Sequence, residues 1–224
     1  YHRFKNLIFD GMDFLEQLNS QQRIATTHIE GPLLVLAGAG SGKTRVVTYR
    51  IAHLLRIGVP SSEILAVTFT NKAADEMRQR IFHLTQETIL SCTFHSLCAR
   101  ILRESISHLN YRSDFTIYDE EDSEKVIREC LKALRMKEDK ATLKTLKTQI
   151  SQAKNTLTQP ENISLDEKPL CQIYGMYQQK LKEYNALDFD DLLYLTVGLF
   201  KSNSQVLDIY QKRWSFILID ESQD

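Results

Sequence analysis

Four short apolar runs set the rhythm of this chain. Leu33-Leu34-Val35-Leu36-Ala37, Ile64-Leu65-Ala66-Val67-Thr68, Ile89–Thr93 and Phe216-Ile217-Leu218-Ile219-Asp220 are each strand-sized and almost uninterrupted. That is the pattern of strands buried on both faces of a parallel sheet. Between them the apolar positions recur with helical period. Thr44–Ile57 carries Val47, Ile51, Leu54 and Leu55 on one face and ends at Gly58, which suits a left-handed cap. Asn71–Phe82 presents Ala74, Met77 and Ile81, and a further helix is expected over His95–Leu109. Strand and helix in alternation, joined by short links, predict an α/β fold with a parallel sheet.

From about Ile106 the pattern becomes helical. Asp119-Glu120-Glu121-Asp122 places acids where a helix N-terminus favours them, and that helix is expected to run through Leu134. Asp139–Lys154, Leu170–Tyr184 and Asp190–Phe200 read as further helices, with Pro160 and Pro169 as breaks. Only at Phe216 does a strand pattern return, closing on the carboxylate of Asp220. The expectation is an α/β domain interrupted by an all-helical insertion subdomain of about 80 residues.

Composition narrows the class. With 224 residues, 42% of them apolar, and ten Phe and nine Tyr, the chain can bury a substantial core. No apolar run approaches the roughly 20 residues of a membrane helix, and the first residues lack a signal-peptide pattern. Cys92, Cys98, Cys130 and Cys171 form no Cys-x-x-Cys pair, so free thiols in a cytoplasmic protein are expected rather than a structural metal. The net charge of −1 hides an uneven distribution. Residues 1–105 hold 12 Lys and Arg against 9 Asp and Glu, residues 106–187 hold 13 against 13, and residues 188–224 hold 3 against 7. This is no basic nucleic-acid module, and any such role must rest on individual residues.

Chemistry enters at Ala37-Gly38-Ala39-Gly40-Ser41-Gly42-Lys43-Thr44, which follows an apolar run and opens a helix. Glycines there let backbone N–H groups converge on phosphate oxygens at a helix N-terminus. Lys43 would neutralise phosphate charge, and the Thr44 hydroxyl would ligate Mg²⁺. Ala37 stands where glycine is usual, but only the later glycines need the unusual backbone. Asp220, at the end of an apolar run, suits Mg²⁺, and Glu221 suits polarisation of an attacking water. An acidic loop after a strand is the plain alternative for that pair; beside the phosphate loop the functional reading is the stronger one.

Six stretches, in order, resemble superfamily 1 DNA helicases of the UvrD/Rep/PcrA type. They are Leu18-Asn19-Ser20-Gln21-Gln22, the phosphate loop, Thr68-Phe69-Thr70-Asn71-Lys72-Ala73-Ala74-Asp75-Glu76-Met77, Cys92-Thr93-Phe94-His95-Ser96-Leu97, Leu187-Asp188-Phe189-Asp190-Asp191-Leu192 and Ile219-Asp220-Glu221-Ser222-Gln223-Asp224. The third is the most diagnostic. Ser222 departs from the aromatic residue common at its position.

The resemblance implies a RecA-like P-loop NTPase domain over 1–107 and 188–224, with the insertion over 108–187. It implies that Gln22 reads the adenine edge and Arg45 packs on the base of ATP. Residues 37 to 44 would hold its phosphates, Thr44 and Asp220 its Mg²⁺, Glu221 would act as catalytic base, and Gln223 would sit near the γ-phosphate. Phe69 and Phe189 match aromatics that contact bases, and Thr70, Asn71, Thr93 and His95 match loops on a single-stranded DNA backbone. Aromatic platforms suit unstacked bases and need little net charge. From the residues alone, Phe69 and Phe189 could equally fill a core, His95 could be structural, and Gln22 could be plain helix surface.

The implied parent is an ATP-dependent 3′→5′ DNA helicase acting on single-stranded DNA and duplex junctions in repair or replication. Its second motor domain, which brings arginines to the nucleotide, lies outside this chain. The fragment is therefore expected to turn over ATP very slowly. A nucleotide and single-stranded-DNA binding module without motor activity is the alternative. A P-loop kinase or transporter ATPase lacks support, because the transporter signature is missing and small-molecule kinases do not carry the Thr-Phe-Thr-Asn-Lys-Ala-Ala run.

Overall fold

A computed structural model describes residues 14–38, 40–164 and 168–220. The helices are α1 (Ser20–Thr27), α2 (Lys43–Arg56), α3 (Asn71–Thr85), α4 (Phe94–Ser105), α5 (Glu120–Ala133), α6 (Lys140–Asn155), α7 (Lys168–Glu183), α8 (Phe189–Ser202) and α9 (Ser204–Arg213). The strands are β1 (Ile64–Thr68), β2 (Leu90–Thr93), β3 (Thr116–Ile117), β4 (Ala186–Leu187) and β5 (Phe216–Ile219). The chain divides into two compact units, residues 1–94 with 210–224 and residues 95–209.

The first unit is built on a parallel sheet in the order β2-β1-β5. All five residues of β1 are buried, as expected for a central strand made wholly of apolar residues and a terminal Thr. Ile51, Leu54, Ile64, Ala66, Met77, Ile81 and Leu218 form one core between strands and helices. Each such side chain contributes roughly 1.5–3 kcal/mol on leaving water. Arg78 and Ser91 lock α3 to β2: the guanidinium donates to the Ser91 carbonyl at 2.9 Å, and the Ser91 hydroxyl donates to the Ala74 carbonyl at 3.1 Å.

Two strand expectations need correction here. The run Leu33–Ala37 adopts no regular structure, and Leu34 and Leu36 are 72% and 85% exposed. No described strand hydrogen-bonds to it, and an apolar run becomes a buried strand only when a neighbour completes its ladder. Phe216–Ile219 does form a strand, but β1 is its one partner among the described residues. It is therefore an edge with Ile217 57% exposed, not a strand buried on both faces.

The second unit is mainly helical, with α5, α6 and α7 closing over Val126, Cys130, Leu143, Ile150, Ile173, Tyr174 and Leu181. Asp119 and Asp139 cap α5 and α6, each accepting an N–H three residues on at 2.9 Å. The unit is not all-helical as expected. β3 and β4 pair in parallel, Thr116 with Ala186 and Ile117 with Leu187. The reason lies in local geometry: Asn185 has a left-handed backbone, and its carbonyl accepts from the Thr116 N–H at 3.0 Å, so two segments far apart in sequence zip together there.

Candidate functional site

Gly42 caps α2 with φ of +86°, and Gly40 has φ of +74°, a left-handed pair that turns the loop onto the helix axis. A Cβ on Gly42 would stand 3.0 Å from Gln22 Nε2. Gln22 reaches this loop because Asn19 and Gln22 form a reciprocal capping box at the start of α1. Its amide then donates to the Ser41 carbonyl at 3.0 Å. Ser41 Oγ donates to the Gly38 carbonyl at 2.7 Å, and Lys43 Nζ donates to the carbonyls of Ala37 and Gly38 at 3.0 and 3.3 Å. Thr44 is the second residue of α2. Ala39 lies outside the described residues, as do Glu221 and Gln223.

Lys43 and Asp220 line one cavity of about 530 Å³, with Arg50 and residues 215–219 on its walls. Asp220 is 7% exposed, and its N–H continues the ladder to the Val67 carbonyl at 3.0 Å. Arg50 is spent on structure, donating to the Ala25 carbonyl at 3.1 Å and to that of His28. Burial lowers its pKa.

The parallel register brings the strand ends to one edge, where open α/β sheets bind ligands. Thr68 stands opposite Thr93, and Asp220 follows β5 directly. Phe69 leaves β1 at this edge and is 57% exposed, so it does not fill the core. Thr70 caps α3, its hydroxyl accepting from the Ala73 N–H at 3.1 Å, and exposed Asn71 opens that helix. Thr93 is buried at the end of β2.

In the second unit, His95 and Phe189 meet although their motifs are far apart in sequence. Their ring centroids are 3.9 Å apart and the planes 17° from parallel. Burial lowers the His95 pKa, against the pull of Asp190. Phe189 is nevertheless 58% exposed.

The family model for the UvrD/REP helicase N-terminal domain matches residues 18–224. The chain belongs to that family. Relatives named ATP-dependent DNA helicase PcrA are 41% identical over 219 residues in Staphylococcus epidermidis, covering 94% of this chain and 30% of the relative. In Leuconostoc citreum the figures are 40% over 217 residues, 92% and 29%. This UvrD/REP domain thus spans about 30% of the length of the curated relatives it matches.

Several residues of the UvrD/REP domain that shape the site carry no motif signal. Gln17 and Tyr49 hold Arg45: the guanidinium donates to the Gln17 carbonyl at 3.1 Å, and Tyr49 Oη donates to Gln17 Oε1 at 2.7 Å. Lys154 is another. Its ammonium lies 2.5 Å from Asp188 and 2.8 Å from Asp191, all three buried. Nothing in a Lys/Thr/Leu-rich helix marks one lysine as buried; only a carboxylate cluster needing a cation could have flagged it. No helix among the described residues is long and apolar enough to cross a membrane.

Proposed function

We propose that this chain is the N-terminal ATP-binding part of an ATP-dependent DNA helicase that moves 3′→5′ along single-stranded DNA. Residues 1–107 and 188–224 would be the first of two motor domains, and 108–187 its insertion. One observation carries the reading furthest: Lys43 of the glycine-rich loop lines one cavity with Asp220, and Asp220 and the exposed Phe69 share the carboxyl edge of one parallel sheet.

The residues fit the groups the reading requires. The left-handed glycines and the N-terminus of α2 offer N–H groups to phosphate, and Lys43 offers a cation. Gln22, held by its capping box against the loop, would accept and donate at an adenine edge, and Arg45 would cover the base. Thr44 and Asp220 are hard oxygen donors of the kind Mg²⁺ takes. When bound, that ion would offset phosphate charge. Glu221 would orient and deprotonate the attacking water, and Gln223 would sense the γ-phosphate. Phe69 and Phe189 would contact bases, and Thr70, Asn71, Thr93 and His95 the backbone, on single strands or at duplex junctions. Cytoplasmic repair or replication is the setting we infer.

The test is ATP turnover by this chain with and without single-stranded DNA, beside a longer chain carrying the second motor domain. DNA-stimulated turnover confined to the longer chain supports the motor. Oligonucleotide and nucleotide binding without stimulated turnover in either would favour the plain binding module. Full DNA-independent turnover by the short chain would overturn both. In the same assays Phe69→Ala is expected to weaken oligo(dT) binding about tenfold or more, as one lost stack is worth roughly 1–3 kcal/mol. Nucleotide affinity should stay within about twofold, because the exposed ring supports no core. Equal loss of both would place Phe69 in the fold instead.

A further inference from the structure

The first turn of α8 is capped in an unusual way. Asp188 and Asp191 form a reciprocal capping box, Asp191 N–H to Asp188 at 2.8 Å and Asp188 N–H to Asp191 at 3.1 Å. Such boxes ordinarily sit in water and need no counter-charge. Asp119, which caps α5 in the same unit, is exposed. Here the carboxylates are 8% and 0% exposed, and taking each out of water costs several kcal/mol. The Lys154 ammonium, at the end of α6, contacts both. Tyr177 Oη donates to Asp188 at 2.8 Å, and Gln178 Nε2 donates to Asp191 at 3.2 Å.

Between these two anchored residues sits Phe189, with its ring outward. A cavity of about 420 Å³ runs alongside, lined by Tyr118, Ser123, Ile150, Tyr177, Asp188 and Phe189 among others. Close packing therefore does not hold this turn on that side, and the buried ionic network fixes its capping residues. We propose that Lys154 is a positioning residue for the Phe189–His95 platform, setting through the Asp188–Asp191 box the angle at which the Phe189 ring is presented to a nucleobase. The role in base contact rests on the nucleic-acid reading above; the role in orientation does not.

The mechanism is charge balance. Two buried carboxylates and one ammonium leave a single net negative charge, which Tyr177 and the backbone N–H groups can solvate. At a pH where both carboxylates are ionised, loss of Lys154 leaves them to repel, and the box opens. Gln178 Oε1 is buried with no hydrogen-bond partner, so an asparagine at 191 would have an acceptor waiting for its amide once Gln178 turns over.

The experiment uses the whole chain with isotope-labelled histidine. A ring stacked at 3.9 Å displaces the His95 imidazole protons upfield, and Phe189→Leu supplies the undisplaced reference. Lys154→Met is expected to move the His95 signal at least halfway to that reference and to weaken oligo(dT) binding about tenfold, with ATP affinity unchanged. Lys154→Met with Asp191→Asn restores the single net charge and should regain both signal and affinity to within about twofold. Retention of the displaced signal in a folded Lys154→Met chain would overturn the proposal. So would a folded double variant that regains neither, or failure of both to fold, which would make Lys154 a residue of the fold alone. If Phe189→Leu binds oligo(dT) like the parent, the nucleic-acid reading falls, and the His95 signal by itself still judges Lys154.

Discussion

Replacing Lys43 with alanine should abolish nucleotide binding while moving the melting temperature by no more than about 2 °C. The ammonium rests on two loop carbonyls, Ala37 and Gly38, in a half-exposed setting. Truncation there exposes no core, and surface changes of this kind stay within about 0.5 kcal/mol. Bound phosphate is another matter. Charge-assisted contacts to anionic oxygens are worth roughly 1.5–3 kcal/mol each, so losing two weakens ATP at least about a hundredfold. Titration calorimetry and thermal melting on one preparation read both quantities. A melting temperature that collapses together with affinity would mean that Lys43 supports the loop rather than the ligand.

The second large effect concerns pH. Burial pushes the Asp191 carboxyl up to about 6, with Lys154 opposing and Asp188 adding to the rise. Asp188 goes the other way: burial works against its charge, but Lys154 outweighs burial and holds it low. Lys154 stays charged because the two carboxylates offset its own burial. A carboxyl raised in the folded state contributes stability that is fully present below the unfolded value of 3.8 and is lost as pH rises through about 6. Asp191→Asn removes that contribution and keeps the box, since an amide oxygen still accepts from the Asp188 N–H. The variant's stability relative to the parent should therefore improve by about 2 kcal/mol between pH 4.5 and pH 7.5. Urea unfolding of both proteins at a series of pH values measures this difference directly. A gap that does not change with pH would show that Asp191 is ionised throughout, with the Lys154 interaction dominating.

How much of this was legible in the residues follows a physical line. β1 appears where an unbroken apolar run with a terminal Thr predicts it, at Ile64–Thr68, and α3, α5, α6 and α7 follow their apolar periods to within a few residues. The acid cluster from Asp119 was readable as a helix start, whereas the caps by Asp119, Asp139 and Thr70, each accepting an N–H three residues on, emerged with the structure. The failures share a cause. Leu33–Ala37 and Phe216–Ile219 have the composition of doubly buried strands, yet burial depends on what lies on either side. The first has no described strand beside it, and the second has one. The short β3–β4 ladder was invisible because two-residue strands have no period to detect.

By itself, then, the order of residues determined β1, most helices and the left-handed glycines of the phosphate loop, which depend on neighbours within a few positions, and the family, which six motifs in order carry. It left open whether Phe69 was core or surface, whether His95 had a partner, and whether any lysine of the insertion mattered. Those were decided by tertiary structure alone. Exposure of Phe69, the 3.9 Å stack of His95 on Phe189 and the burial of Lys154 between Asp188 and Asp191 each require segments distant along the chain to meet. Local propensity carries no information about such meetings, because a ring or an ammonium takes its energy from whatever surrounds it once the backbone has closed.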